Sequence, residues 1–327
     1  MKKILILFGG NSTEHYVSCK SAYSILENID KNLFDVTCVG LDLNNEWYIY
    51  KDDISYLNDG EWINKNVIKI DNIIKFLKQF DTVFSIIHGN TGEDGKLQSL
   101  LELFNIKYIG SNSLTSAICF DKGFTKMIAE NNNIPQTKYI IVDNNFNIKN
   151  IELKLNYPLI IKPANGGSSI GITKANNKKE LSYSINHAKK YDKKIIIEEF
   201  IKARELEIAV LYDKKFIISK PGEIISGNEW YDYNAKYSNN KSKTIIPNDI
   251  PKNIEKKLMD YTKKIINIFD IKGLARIDFF YNYDKQEVLL NEINTLPGFT
   301  TISMYPQLLK NKKIDYKSLI TKLIINA

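Results

Sequence analysis

The sequence predicts a mixed α/β chain of three units, the first a parallel sheet with helices on both faces and the other two α+β. Three observations predict it. At 327 residues the chain exceeds the usual size of one hydrophobic core. Strand and helix signals alternate from residue 1 to about residue 115, the pattern of a parallel sheet. Beyond that point helices are set against strand–turn–strand pairs. The units are placed at 1–115, 116–212 and 213–327.

In the first unit KILILFGG is an apolar run that ends in a glycine turn, and it predicts a buried strand. SAYSILENI has helical spacing. FDVTCVGLD and DTVFSIIHG predict strands, DGKLQSLLELFN a helix and IKYIGS a further strand. Ligands of such sheets collect at the carboxyl ends of strands. Two polar clusters fall there: Gly9, Gly10, Ser12, Glu14 and His15, then His88, Gly89, Glu93, Asp94 and Gly95. In the second unit DKGFTKMIAENNN predicts a helix, and YPLIIKPANGGSSIGITKA a strand, a glycine-rich loop and a strand. KKELSYSINHAKKY predicts an amphipathic helix, and KIIIEEFI and ELEIAVLYD predict strands. The third unit holds mixed strands, a polar loop SGNEWYDYNAKYSNNKSK, a helix over 251–269, the paired strands RIDFF and EVLLNEIN, and a terminal helix.

Composition narrows the class. Hydrophobic content of 43% and charged content of 25% are those of an ordinary soluble globular chain. No apolar run reaches about 20 residues, so no transmembrane helix is expected. The opening MKKILILFGG lacks a long apolar region and a small-residue cleavage site, which argues for a cytoplasmic protein. Cys19, Cys38 and Cys119 are scattered, and neither a disulfide framework nor a zinc spacing follows from them. The net charge of +7 is spread along the chain rather than gathered in a stripe, so no nucleic-acid partner is expected.

Several stretches carry chemistry. Alternate residues of a strand share a face, so Glu292 and Asn294 of LLNEINTLPG point together, and Asp278 of RIDFF joins them if the strands pair. Two carboxylates and an amide oxygen form a hard-oxygen set of the kind Mg²⁺ takes when phosphates complete its shell; a solvated strand end is the alternative. In PANGGSSIG the backbone can turn tightly and offer N–H groups and hydroxyls to phosphate oxygens, or it is a plain hairpin turn. Lys162 lies just upstream, and Lys122 in the preceding helix. Glu198 and Glu199 close an apolar strand and Glu205 opens the next, a pattern that suits the edge of an adenine slot and a ribose, or a solvated strand boundary. Arg276 shares a face with Asp278 and is suited either to stabilising developing negative charge or to an ion pair. Gly298, Ser303 and Tyr305 of PGFTTISMYP follow the metal candidates, placed either to bind a small substrate or to close the domain. His187 is expected to be exposed. His15 and His88 both follow strands of the first unit and are suited either to hydrogen-bonding loops or to direct catalysis in one cleft with Glu14.

Taken in order, FGGNSTEHYVS, HGNTGEDGKLQSLLE, SAICFDK, IIKPANGGSSIGI, EWYDYNAKY, ARIDFF and NEINTLPGFT resemble the D-alanine–D-alanine ligases of the ATP-grasp superfamily, with their D-serine and D-lactate relatives. The resemblance runs from residue 3 to about residue 306. It implies a three-domain ATP-grasp fold with ATP between the sheets of the central and C-terminal domains. By the same resemblance Lys122 and Lys162 contact phosphates with Ser169 in their loop, Glu198 and Glu199 lie at the adenine edge, and Glu205 holds the ribose. Asp278, Glu292 and Asn294 match Mg²⁺ ligands, for two ions with Mn²⁺ as an alternative. Glu14 matches the residue that binds the first D-alanine's ammonium group, with Ser168 and Tyr237 as its hydrogen-bonding partners, and His88 lies near that substrate's carboxylate. Lys236 matches a loop lysine that reaches the γ-phosphate. Arg276 and the Gly298 amide match oxyanion donors, Ser303 a contact to the second substrate's carboxylate, and Met304 a neighbour of that pocket.

The implied reaction converts the first D-alanine to an acylphosphate, which the amine of the second attacks. The loop at about 226–244 would act as a lid that keeps water from the intermediate. Some spellings depart from the family pattern. Gly166 stands where many relatives carry a larger residue. SAICFDK is closer to the resistance-type branch, and EWYDYNAKY to ordinary D-Ala–D-Ala ligases. Tyr237 argues against D-lactate, whereas Met304 leaves D-serine open beside the expected D-alanine. The resemblance also implies a homodimer, with the first domain contributing to the contact.

Overall fold

The computed structural model describes residues 1–143, 146–225, 243–247 and 249–327. The opening apolar run forms β1 (Lys2–Gly9), flanked in parallel by β2 (Phe34–Leu41) and β5 (Thr82–Ser85). Both faces of β1 are covered, as the alternation of strands and helices predicts. Ile4, Ile6 and Phe8 pack with Cys19, Ala22 and Ile25 of the His15–Asn28 helix. Leu5 and Leu7 pack with Leu97 and Leu101 of the Lys96–Leu103 helix. This parallel core is extended by two antiparallel strands, β3 (Trp47–Tyr50) and β4 (Val67–Lys69), in the order β4-β3-β2-β1-β5. The link between β2 and β3 is too short for a parallel crossover. Asp42 turns it by accepting the backbone N–H groups of Asn44 and Glu46, both at 2.8 Å. IKYIGS, expected as a strand, contributes a single parallel bridge between Tyr108 and Val83.

The second sheet is antiparallel, with β6 (Tyr139–Val142), β7 (Leu159–Pro163), β8 (Thr173–Ala175) and β9 (Ile195–Glu199) in the order β6-β9-β7-β8. One face carries the Lys178–Ala188 helix, whose Leu181, Ile185 and Ala188 pack on Leu159, Ile161, Ile195 and Ile197. Asn177 caps that helix, its side chain accepting the Glu180 N–H at 3.0 Å.

The third sheet contains β10 (Arg204–Asp213), β11 (Lys215–Ile218), β12 (Gly222–Ile225), β13 (Lys243–Ile245), β14 (Leu274–Asn282) and β15 (Glu287–Asn294). Its path is β13-β12-β10-β14-β15, with β11 also on β10. The sequence reading grouped ELEIAVLYD with the second unit, yet as β10 it pairs with β12 and β14 of the third sheet. Its two faces explain why. Leu206, Ile208 and Val210 pack on Ile254, Leu258 and Ile265 of the Lys252–Ile268 helix. Ala209 and Leu211 join the cluster of Tyr305, Leu308 and Leu309. The same cluster takes in Leu319, Ile320, Leu323 and Ile324 of the Tyr316–Ile325 helix together with Ile4 and Ile6, and so joins the first and last sheets through one core.

Candidate active site

A cleft of about 1100 Å³ lies between the second and third sheets and opens toward the carboxyl ends of β1 and β5. Every described residue to which the resemblance gives a role lines it, whereas Tyr305 does not: it is buried beside the cleft, its hydroxyl donating to the Val210 carbonyl at 3.0 Å. Lys236 and Tyr237, and most of the expected lid at about 226–244, lie outside the described residues.

On the floor formed by β14 and β15, Asp278 stands opposite Glu292 and Arg276 opposite Asn294, with a register shift just after Asp278. All four face the cleft, as the two-residue period requires. Arg276 donates to both oxygens of Asp278, Nε to Oδ1 at 2.8 Å and Nη2 to Oδ2 at 2.7 Å. The Asn294 amide donates to Asp278 Oδ2 at 3.0 Å. Glu207, opposite Asp278 on β10, brings its Oε2 within 3.0 Å of Arg276 Nε. Burial works against the guanidinium charge, but Asp278 and Glu207 overcome it and hold the pKa of Arg276 well above its ordinary value. Among the described residues no three His, Cys, Asp or Glu side chains close on a point as a metal cage. Asp278, Glu292 and Asn294 form instead an open set of two carboxylates and an amide. That set fits Mg²⁺, which usually takes one or two carboxylates and leaves its other positions to phosphate and water.

The loop after β7 supplies the facing wall. Gly166, Ser168 and Ser169 have positive φ, of 134°, 52° and 58°, so the chain curls and can present successive N–H groups inward. Lys122, at the start of the Lys122–Asn131 helix, donates from Nζ to the Gly166 carbonyl at 2.8 Å and lies 3.7 Å from Glu292 Oε2. It therefore bridges the loop and the acidic floor. Ser168 Oγ donates to Glu14 Oε1 at 2.5 Å, which ties the phosphate-type loop to the first domain. Gly167 permits this approach, because a Cβ there would stand 2.4 Å from Glu14 Oε2.

Deeper in the cleft, the buried carboxylate of Glu198 sits between two ammonium groups. Lys126 Nζ lies 2.6 Å from Oε1 and Lys162 Nζ lies 2.9 Å from Oε2. Burial alone would push the Glu198 carboxyl up; the two lysines outweigh it and hold it down at about 2. Glu205 lines the same end. Glu199 does too, but its Oε1 accepts both the backbone N–H and the side-chain amide of Asn156 at 2.9 Å, so that oxygen is committed to the turn before β7.

At the first-domain end His88 is buried. Nδ1 faces the Leu296 carbonyl at 3.2 Å and Nε2 the Ser21 hydroxyl at 3.2 Å. Burial opposes its charged form, yet Glu93, 3.7 Å from Nδ1, and Glu14 raise its pKa above the ordinary value. Glu93 accepts the Gly89 N–H at 2.8 Å. His15 is not on the cleft wall. It meets the Gly10 carbonyl through Nδ1 at 2.9 Å and accepts from Trp62 Nε1 at 3.2 Å, so it braces a loop. Ser303 Oγ accepts the Thr300 N–H at 3.1 Å beside Gly298, and Met304 is buried behind it against Gly222.

Two cleft-associated residues escaped the sequence reading, and each had a signal. Glu207 is two residues beyond Glu205 on one strand, hence on the same face. Lys126 is one helical turn beyond Lys122. Glu93 stood in a noted polar cluster but was given no role.

Residues 3–111 match the family model described as D-ala D-ala ligase N-terminus, and residues 128–325 the one described as D-ala D-ala ligase C-terminus. A D-alanine–D-alanine ligase of Caldicellulosiruptor bescii is 43% identical, over 98% of this chain and 94% of its own. Among solved structures, the VanG D-Ala:D-Ser ligase from Enterococcus faecalis superposes with a TM-score of 0.89 at 35% identity, covering 99% of this chain and 98% of that one. The D-alanine–D-alanine ligase from Coxiella burnetii superposes with a TM-score of 0.87 at 28% identity, covering 99% and 93%. Matched by the two family models in succession and by a relative 43% identical over 98% of its length, this chain belongs to the D-alanine–D-alanine ligase family and has the ATP-grasp fold.

Proposed function

We propose that this protein joins two D-alanine molecules at the expense of ATP, through a D-alanyl phosphate, releasing ADP and phosphate and supplying D-alanyl-D-alanine for peptidoglycan precursors. The observation that carries the reading is the 2.5 Å bond from Ser168 to Glu14. It sets an amino-acid-binding carboxylate of the first domain directly against a loop suited to phosphates.

In this reading Lys122, Lys162 and the N–H groups around Ser169 neutralise and orient the phosphate chain. Glu198 accepts from the adenine edge, with Glu199 beside it, and Glu205 accepts from the ribose. Glu14 pairs with the ammonium group of the first D-alanine, and His88 lies near its carboxylate. That carboxylate attacks the γ-phosphorus and ADP leaves. The free amine of the second D-alanine, whose carboxylate Ser303 anchors, then attacks the acyl carbon. Arg276 and the Gly298 N–H stabilise the oxyanion, which collapses with loss of phosphate. Lys236 and Tyr237 take the roles that the resemblance gives them, at the γ-phosphate and beside Glu14. Asp278, Glu292 and Asn294 would hold Mg²⁺, as two ions with Mn²⁺ as an alternative, to offset charge on the phosphate oxygens.

D-Alanine is the second substrate in this reading, in keeping with the 43% identity to a named D-alanine–D-alanine ligase against 35% to the D-Ala:D-Ser ligase. Among the described residues no helix is long and apolar enough to cross a membrane. We place the protein in the cytoplasm as a homodimer, both on the family resemblance. The test is phosphate release from ATP with D-alanine alone and then with D-serine added, with the product identified by mass spectrometry. D-Alanyl-D-alanine is the expected product, and no D-alanine-dependent release would overturn the reading. Glu292→Gln is expected to abolish most turnover with the fold intact, and near-normal rates at saturating Mg²⁺ would overturn the metal assignment.

A further inference from the structure

Lys126 is the least expected charge near the cleft. It is 2% exposed and does not line the cleft wall, whereas Glu198 and Lys162 do. Its ammonium group has three neighbours: Glu198 Oε1 at 2.6 Å, Thr137 Oγ1 at 3.4 Å and the Tyr139 ring, whose centroid is 5.2 Å away. Glu130, one turn on, is exposed and accepts the Tyr139 hydroxyl, so it does not pair with Lys126 directly.

The charge count of the buried group is uneven. Two ammonium groups share one carboxylate, which leaves one positive charge in excess at low exposure. A buried charge is costly unless something offsets it. Lys126 is walled off from the cleft, so the excess can meet an anion only through Lys162. Without Lys126, Lys162 and Glu198 would be a neutral pair, and the attraction of Lys162 for an incoming anion would be largely spent on Glu198.

We propose that Lys126 is a positioning residue that neutralises Glu198 from behind and so frees the charge of Lys162 for the phosphate groups of the nucleotide. The inference rests on the reading of Lys162 as a phosphate contact, and the experiment separates the two. It uses the full chain and isothermal titration calorimetry with ADP and with adenosine, so that catalysis plays no part. The ratio of the two dissociation constants isolates the phosphate contribution and cancels effects on the adenine pocket.

Lys126→Met is expected to cut that ratio about tenfold by weakening ADP, with adenosine changed less than about twofold. Lys162→Met is expected to cut it at least as far. Adding Glu198→Gln to Lys126→Met removes the competing carboxylate and should return the ratio toward the wild-type value. If Lys126→Met does not fold, the comparison moves to the Glu198→Gln background, where Lys126→Met should change the ratio less than about twofold. An unchanged ratio in Lys162→Met would overturn the phosphate reading itself. A lowered ratio there with none in Lys126→Met, or equal weakening of ADP and adenosine in Lys126→Met, would overturn the role given to Lys126. So would a large further fall in the ratio on adding Lys126→Met to Glu198→Gln.

Discussion

Arg276 Nε is shared between two acids: it donates to Asp278 Oδ1 at 2.8 Å and lies 3.0 Å from Glu207 Oε2. Asp278 is also a candidate metal ligand, and a carboxylate that binds a cation holds a guanidinium less firmly. Glu207 keeps Arg276 oriented whichever task Asp278 performs. Glu207→Ala should therefore lower kcat about tenfold while the KM for ATP stays within about threefold. Steady-state kinetics on the purified variant decide it; a kcat equal to wild type would show that Asp278 alone suffices.

The approach of Gly167 to Glu14 makes a second, sharper test. A methyl group at 167 would fall 2.4 Å from Glu14 Oε2, the mobile end of a side chain, so the carboxylate must swing away and the Ser168 bond must lengthen. Gly167→Ala should raise the KM for the first D-alanine on the order of tenfold, since a hydrogen bond to a charged group contributes about 1.5–3 kcal/mol. The thermal midpoint should barely move. A large fall in that midpoint with normal substrate affinity would place the effect in the loop backbone instead.

These two cases also show what a linear reading can and cannot reach. The floor of the site was legible, because Arg276 with Asp278 and Glu292 with Asn294 obey a two-residue period within single strands, and register then set the two strands side by side. The glycine loop was legible because Gly166 and Gly167 mark a tight turn, although the positive φ values of Ser168 and Ser169 could not have been read from it. The membership of β10 was not, since the pairings with β12 and β14 that place it in the third sheet join residues distant in sequence. The antiparallel extension by WYIY and VIK was missed because strands of four and three residues are too short to show a period. Lys126 was overlooked because a lysine in a polar helix reads as exposed until its acid partner arrives from β9.

The packing that joins the ends of the chain offers a stability test remote from chemistry. Leu319 of the terminal helix is fully buried in the cluster that contains Ile4 and Ile6 of β1. Leu319→Ala should cost about 2–5 kcal/mol, the lost transfer free energy plus that of the cavity left behind. Urea unfolding would show the shift in midpoint, and kinetic constants measured well below that midpoint should match wild type. A loss under 1 kcal/mol, on the order of a surface change, would mean that the two sheets do not rely on this contact.

The pairing of Glu198 makes acid sensitivity predictable. Its carboxyl is held at about 2 against an ordinary value of 4.5: burial opposes the charge, and Lys126 and Lys162 overcome that opposition. The folded state therefore favours the anion more than the unfolded chain does. The stabilisation is fully present above pH 4.5 and is lost as the pH falls toward 2, and the whole difference corresponds to about 3 kcal/mol. Lys126→Met with Glu198→Gln removes the titrating carboxyl without leaving an unpaired acid. Urea unfolding of wild type and double variant between pH 6 and pH 3 should give a shallower loss in the variant below pH 4.5, by up to about 1.4 kcal/mol per pH unit. Parallel curves would mean that other carboxylates carry the acid transition and that the pairing of Glu198 with its two lysines adds nothing to it.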